Sequence, residues 1–233
     1  MPNNTSQVVF FLGAGASVKA GVPDTYRFVD EFVSSLTNSN ERATVDKIIR
    51  ILKKWKKEEI DIELLLETLV KLDNKENDPL LHFYSEKCYL LEGELEKSPI
   101  IKKLKDFIKS KAIVSRDKID YLKPLLGFIE EHRPLDIISL NYDTCIEQLS
   151  EVYRLLCQDG FESEWKPEVF DLEDVDICLY KAHGSVLWYQ TDNAKYIKVP
   201  VLTNDSEINL TSGGKAQNLM LYPMQKMGTL NPC

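Results

Sequence analysis

Two glycines separated by one residue, Gly13 and Gly15, directly follow the apolar run 8–12 near the start of the chain. Such a run is typical of a buried parallel strand, and a Gly-x-Gly that ends it is typical of a phosphate-binding turn. Glycine lets the backbone approach a ligand closely, and the N–H groups that open a following helix attract anions. A plain strand-to-helix turn is the alternative interpretation. The groups expected to hold a diphosphate are the backbone N–H groups of Ala14, Gly15 and Ala16 and the hydroxyl of Ser17.

The dinucleotide fingerprint of dehydrogenases is only partly met. Its third small residue would fall at Val18. The segment 25–36 has the apolar spacing of a helix, where the fingerprint requires a second strand that ends in an acidic, ribose-binding residue. The pattern therefore predicts a nucleotide site but disfavours hydride transfer.

Polar residues also follow two later apolar runs. The run 135–140 leads into Asn141 and Asp143, and the run 177–182 leads into His183. Ligands of open α/β sheets bind at the carboxyl ends of the parallel strands. We therefore expect these side chains to gather beside the glycine turn.

Each of these polar residues also has a structural interpretation. Asn141 suits a turn, and His183 suits a hydrogen-bonded position at a strand end. Asp143 suits the N-cap of a helix that begins near Thr144. The constellation of three strand ends favours a site, and the N-cap interpretation of Asp143 stays open beside it.

The alternation of strands and helices predicts an α/β fold, a Rossmann-like parallel sheet with a large helical insertion between the first two strands. The chain 1–233 is interpreted as a single domain with an insertion at about 37–132, and a C-terminal truncation is left open. Gly21 is expected to end a short helical turn at 17–20. The other expected helices are at about 43–55 and 62–70 and at 79–91, 100–111, 118–132 and 144–156. The other expected strands are at 196–201 and 219–222, around Ser212-Gly213-Gly214.

Composition narrows the class of protein. The net charge of −8 disfavours direct binding of nucleic acid, and the lysine runs at 53–57 and 102–105 are best interpreted as solvated helix faces. The start of the chain lacks the form of a signal peptide, and no apolar run approaches the length of a membrane span, so a cytoplasmic protein without membrane contact is expected. The five cysteines include no C-x-x-C pair, so neither a disulfide framework nor a zinc site is predicted.

Three motifs in order resemble the sirtuin superfamily. They are Gly-Ala-Gly-Ala-Ser at 13–17, Leu-Asn-Tyr-Asp at 140–143 and Lys-Ala-His-Gly-Ser at 181–185. The loop Gly-Val-Pro-Asp at 21–24 is similar to the family's cofactor-covering loop, and Pro223-x-x-Lys226 is similar to a motif of its bacterial branch. Deacylase sirtuins carry a structural zinc module with two C-x-x-C pairs, which this chain lacks. Because it lacks these cysteines and contains Asp61-Ile62-Glu63, the chain resembles the zinc-free bacterial branch. Domains of that branch commonly hydrolyse NAD in anti-phage defence.

The resemblance implies hydrolysis of NAD, as the substrate, to nicotinamide and ADP-ribose. It implies that Asn141 orients the attacking water or the ribose, that His183 contacts the ribose hydroxyls and acts as a base, and that Asp143 supports the nicotinamide ribose. Arg27 lies one residue later than the corresponding arginine of the family. The remaining residues implied to contact the cofactor are Pro23, Asp24 and Arg27 in the closing loop, and Gly184 and Ser185 after the histidine.

Two alternatives share the cofactor. One is a protein deacylase or ADP-ribosyltransferase, and the other is a non-catalytic sensor of NAD or an ADP-ribose-type nucleotide. The expected partners, besides NAD, are further copies of the chain, another defence-system protein or a fused domain. An uncovered sheet edge would favour such association.

Overall fold

The computed structural model describes residues 8–73, 99–172, 174–191, 193–200 and 216–220. The chain divides into two compact units. The sheet unit takes in Met1–Val22 and Ser110–Leu221, and the helical unit takes in Pro23–Lys109, each as far as its residues are described. The expected helix at 79–91, the Ser212-Gly213-Gly214 segment and the Pro223-x-x-Lys226 motif lie outside the described residues.

A parallel sheet of four strands forms the centre of the sheet unit. The strands are β1 (Val9–Leu12), β2 (Leu135–Ser139), β3 (Cys157–Gln158) and β4 (Ile177–Lys181), in the order β1-β2-β4-β3. Each neighbouring pair is parallel. The predicted α/β, Rossmann-like fold is confirmed, whereas the two-residue strand β3 was not anticipated because it is too short to carry a hydrophobic period.

The register aligns the ends of three strands. Leu12 is level with Ser139, and Ser139 is level with Lys181. The alignment continues one residue further, because Leu140 N–H donates to the carbonyl of Leu12 over 2.9 Å and Ala182 N–H donates to that of Ser139 over 3.0 Å. The three motifs found in the sequence therefore leave the sheet at one level of one edge.

The two faces of this sheet differ in burial. Successive side chains of a strand point to opposite faces. On one face Leu135, Ile137 and Leu179 are fully buried. On the other face Val9 and Phe11 of the edge strand β1 remain 50% and 65% exposed. The hydrophobic core of the unit therefore lies on one side of the sheet.

A second, antiparallel sheet follows in the sheet unit. Its strands are β5 (Gly184–Thr191), β6 (Tyr196–Lys198) and β7 (Ala216–Met220), in the order β6-β5-β7. The short strands expected at 196–201 and 219–222 correspond to β6 and β7 with shifted bounds. The sequence prediction missed β5, whose eight residues begin directly after His183.

The described helices between β1 and β2 in the chain form the predicted helical insertion. They are α1 (Arg27–Ser35), α2 (Ser39–Lys56), α3 (Ile62–Asp73), α4 (Ile100–Ala112) and α5 (Leu125–Glu131). The helix expected at 118–132 is instead α5 preceded by two 3-10 turns, Arg116–Lys118 and Asp120–Leu122. Helix α6 (Cys145–Tyr153) ends before the predicted position because Arg154 adopts a left-handed conformation with φ 55°. No described helix is long and apolar enough to cross a membrane.

The helical unit has its own apolar core. Leu65, Leu69 and Leu104 are fully buried, and the Phe28 ring packs edge-on against that of Phe107 at 6.2 Å. The lysine runs have acidic partners outside their own helices: Lys53 of α2 pairs with Glu59, which follows that helix, and Lys103 of α4 pairs with Glu41 of α2, each over 2.7 Å.

Candidate functional site

The glycine turn after β1 forms a 3-10 helix, Ala14–Ala20. It starts three residues earlier than the predicted helical turn and ends, as predicted, at Gly21, whose φ of 88° suits glycine. Ala16 N–H donates to the carbonyl of Gly13 over 2.9 Å. Because that bond uses the Ala16 N–H, the predicted diphosphate contact depends on the N–H groups of Ala14 and Gly15, which precede the first intrahelical bond.

Gly13 and Gly15 face open space. A Cβ built on either residue would have no neighbouring atom within 4 Å. Gly13 has φ −109°, which other residues also adopt, and Gly15 has no left-handed φ. Neither packing nor backbone geometry therefore requires glycine at these two positions, and close approach of a ligand is a physical reason for it.

Asn141 connects the end of β2 to the glycine turn. Its Nδ2 donates to the carbonyl of Gly13 over 2.8 Å and to Ser17 Oγ over 3.0 Å. Its backbone N–H donates to Ser139 Oγ over 3.1 Å. The half-buried Asn141 thus has its amide nitrogen committed to the turn, and its Oδ1 is the atom that suits a water or a ribose hydroxyl.

Ser17 and Asp143 are bonded to each other beneath the turn. The Ser17 hydroxyl donates to Asp143 Oδ2 over 2.6 Å, and the two residues are 2% and 6% exposed. Asp143 Oδ1 also accepts the N–H of Cys145, the first residue of α6, over 3.0 Å. The N-cap of α6 is Thr144, so the N-cap interpretation of Asp143 is one residue off: Asp143 precedes the N-cap and accepts the first N–H of the helix. Ser17 was expected to hold a diphosphate, but in this geometry its hydroxyl supports Asn141 and Asp143.

The Tyr121 side chain holds the glycine turn in place through a hydrogen bond, and sequence analysis did not identify this residue. Its hydroxyl donates to the carbonyl of Ala16 over 2.7 Å and lies 3.6 Å from Cys145 Sγ. Burial raises the pKa of both the Tyr121 phenol and the Cys145 thiol, so both remain protonated at neutral pH. A tyrosine within a stretch predicted to be helical carries no sequence signal for this role.

His183 lies in the turn between β4 and β5, two residues after the last residue of β4. The ring is partly exposed, and its centroid is 6.3 Å from that of Tyr142. The start of β5, directly after this turn, is bonded to the loop after β2, because Val186 N–H donates to the carbonyl of Tyr142 over 3.0 Å. The structure therefore brings the loops that carry Asn141 and His183 together.

Gly184 and Ser185 have roles within the protein. Gly184 has φ 81°, which favours glycine and turns the chain into β5. Ser185 is fully buried, and its Oγ accepts the N–H of Leu187 over 3.2 Å. The predicted cofactor contact of Ser185 would thus require a change in this arrangement.

A buried ion pair lies behind the same strand ends. Lys181 Nζ is 2.9 Å from Glu147 Oε1, and the two side chains are 1% and 4% exposed. Lys181 also donates to the carbonyl oxygen of Asp143. A lysine at the end of an apolar strand was a signal for a buried charge, but the sequence did not indicate its partner.

The loop expected to close over the cofactor belongs to the helical unit. Asp24 Oδ1 accepts the N–H groups of Tyr26 and Arg27 over 3.1 and 2.9 Å, so it holds the turn that leads into α1. Arg27 is 60% exposed and pairs with Glu31 over 3.3 Å. Pro23 is buried. The cofactor contacts of these three residues stay predictions.

Within the described ranges, no three His, Cys, Asp or Glu side chains cluster in a way that would hold a metal ion. The chain matches no protein-family model. It also matches no curated protein at a significant level of sequence similarity.

Proposed function

We propose that this chain is a sirtuin-like enzyme that hydrolyses NAD to nicotinamide and ADP-ribose. One observation supports the proposal above the others: the three strand-end motifs lie at one level of the sheet edge, with Asn141 bonded to the open glycine turn. The open space beside Gly13 and Gly15 would let a diphosphate approach the backbone closely, as binding of NAD requires.

The reaction needs no proton transfer to its leaving group. Nicotinamide in NAD is already cationic, so when the bond between its ring nitrogen and the ribose breaks, the electron pair neutralises the ring. A water molecule then forms a new bond to the same ribose carbon and gives up one proton. Catalysis therefore depends on holding the diphosphate and ribose and on stabilising an oxocarbenium-like transition state.

The side chains divide these tasks. The N–H groups of Ala14 and Gly15 bind the diphosphate, as the first turn of a helix binds anions. Asn141 Oδ1 orients the water or a ribose hydroxyl, because its Nδ2 is held by Gly13 and Ser17. His183 binds the ribose hydroxyls and takes the proton released by the water.

We further propose that the enzyme acts in anti-phage defence and associates with further copies or with another protein. This part follows from the resemblance. The exposed side chains of the edge strand β1, with Phe11 at 65%, support association.

The test is NAD turnover with chromatographic separation of the products, at several protein concentrations. We expect nicotinamide and ADP-ribose from the parent protein. Asn141→Ala and His183→Ala should each lower kcat by about 100-fold or more, since each removes a group that acts on the water or the ribose. Asn40→Ala and His132→Ala, which change the same residue types away from the strand ends, should retain parent turnover.

Three outcomes separate the alternatives. Binding of NAD without turnover, unaffected by Asn141→Ala, would favour a sensor. Turnover only with an acyl-lysine or protein acceptor would favour a deacylase or transferase. A folded protein that neither binds nor consumes NAD would contradict the cofactor assignment.

A further inference from the structure

Lys181 has no role in the mechanism proposed above. It is the last residue of β4, and its side chain is 1% exposed. Burial of an ammonium group is costly unless a counter-charge and hydrogen bonds replace its hydration. Lys181 has both, because Nζ pairs with Glu147 Oε1 over 2.9 Å and donates to the carbonyl oxygen of Asp143.

Glu147 supplies the counter-charge from the first turn of α6. Its side chain is 4% exposed, so each member of the pair depends on the other for charge compensation. A second pair lies nearby in the sheet unit: Lys198 Nζ is 2.8 Å from Asp159 Oδ2, with side chains 23% and 1% exposed. This second pair acts electrostatically on Glu147 but makes no described bond to Asp143, so it is a control for the loss of two nearby opposite charges.

Asp143 is held at three atoms by three different elements. Ser17, in the glycine turn, donates to Oδ2, and the N–H of Cys145, in α6, donates to Oδ1. Lys181, at the end of β4, donates to the carbonyl oxygen. The third bond links the loop that carries Asn141 to the strand that leads into His183.

We propose that Lys181 is a positioning residue of the site. Its ammonium group, neutralised by Glu147, fixes the loop 141–143 against the end of β4 and so sets Asn141 relative to His183. The consequence for catalysis rests on the proposed hydrolysis of NAD. The diphosphate contacts come from the glycine turn, so loss of Lys181 should lower kcat more than it raises KM.

The experiment separates positioning from charge balance. Lys181→Met leaves Glu147 buried without its counter-charge and endangers folding, so the informative protein is Lys181→Met combined with Glu147→Gln, which removes both charges. Glu147→Gln alone would leave the Lys181 ammonium buried without its counter-charge, so it is not informative by itself. Lys198→Met combined with Asp159→Asn removes the neighbouring pair as the control.

Hydrogen exchange of the folded proteins and steady-state kinetics are the two measurements. In the double variant at 181 and 147, we expect amide exchange in the segment 140–145 to be about tenfold faster than in the parent, with β1 unchanged. We expect kcat to fall about 100-fold while KM stays within about threefold. The control pair should leave exchange in 140–145 slow.

Different results would contradict the positioning role of Lys181 and the proposed function. Parent-like exchange and kcat in the double variant would overturn the positioning role, as would equally fast exchange in the control pair. A parent protein that does not turn over NAD would contradict the proposed function, whereas the exchange comparison would still decide whether Lys181 holds the loop.

Discussion

Two glycine-containing turns leave the same edge of the parallel sheet, one after β1 and one after β3. A Cβ on Gly13 or Gly15 would meet open space, whereas a Cβ on Gly160 would overlap the Trp165 indole. Gly160 also has φ 90°, in the left-handed region. The chain itself therefore requires glycine at 160, and it gives no such reason at 13 and 15.

The turn after β3 is filled by aromatic side chains. Trp165 packs edge-on against Phe161 at 5.2 Å, and Phe161 packs against Trp188 at 4.9 Å. The comparison separates a glycine that the packing of the chain itself requires from two glycines that it does not require. The proposed site uses the open space beside those two.

The largest predicted effect is on folding at the filled turn. Gly160→Ala should lower the free energy of unfolding by about 2–3 kcal/mol, because alanine is strained at a left-handed φ and Trp165 must move. Urea unfolding measures the change. An unaltered stability would mean that the aromatic cluster does not constrain Gly160.

The next effect separates binding from stability at the open turn. Gly15→Ala should weaken NAD binding about 30-fold, because the methyl group occupies space next to the diphosphate. It should leave stability unchanged or raise it by about 0.5 kcal/mol, since alanine loses less backbone entropy in a helix. Calorimetric titration and urea unfolding give the two quantities. Parent affinity in the variant would remove the open glycines from the proposed site.

The pH dependence of stability tests the burial of Cys157, in the strand β3 that leads into the filled turn. Burial, with the nearby charges of Glu147 and Asp159, raises the pKa of the Cys157 thiol to about 12. The unfolded chain releases this proton near its ordinary value of 9.0, whereas the folded chain keeps it. The protonated Cys157 thiol therefore makes its full contribution to the free energy of unfolding below pH 9. This contribution is lost as the pH rises towards 12, at about 1 kcal/mol per pH unit. Cys157→Ala should flatten the alkaline fall in stability, and an equal fall in both proteins would contradict this account.

The smallest effect concerns the support of the open turn. Tyr121→Phe removes the hydrogen bond to the carbonyl of Ala16 and should cost about 1 kcal/mol of stability. NAD affinity should fall by no more than about threefold, because the turn keeps its bond to Asn141. Thermal unfolding and calorimetry measure both, and a complete loss of binding would show that Tyr121 has a larger role than support.

The sequence predicted the sheet and its edge because local signals agree there. Apolar runs ending in Gly13, Asn141 and His183 each combine a strand pattern with a change to polar residues. The parallel register then brings the three ends together. The strand β5 was missed because burial does not alternate along it, and a short apolar run without alternation does not by itself distinguish a strand from a helix.

The site's internal bonds could not be predicted in the same way. The bond of Ser17 to Asp143 and that of Tyr121 to Ala16 join residues more than 100 positions apart. Ser17 was expected to contact the substrate because a hydroxyl after a glycine turn suits phosphate, but burial of Asp143 gives it an internal partner. Whether a polar side chain faces a ligand or the interior depends on packing, which residue type does not reveal.

The most direct test of the account is hydrogen exchange with and without an NAD analogue whose nicotinamide ribose is carbocyclic and therefore resists hydrolysis. We predict slower exchange at 13–17, 140–143 and 182–184 on binding, with the turn at Gly160 unchanged. Binding of the analogue with protection confined to the Gly160 turn, or with none at the glycine turn after β1, would contradict the assignment of the open edge as the NAD site.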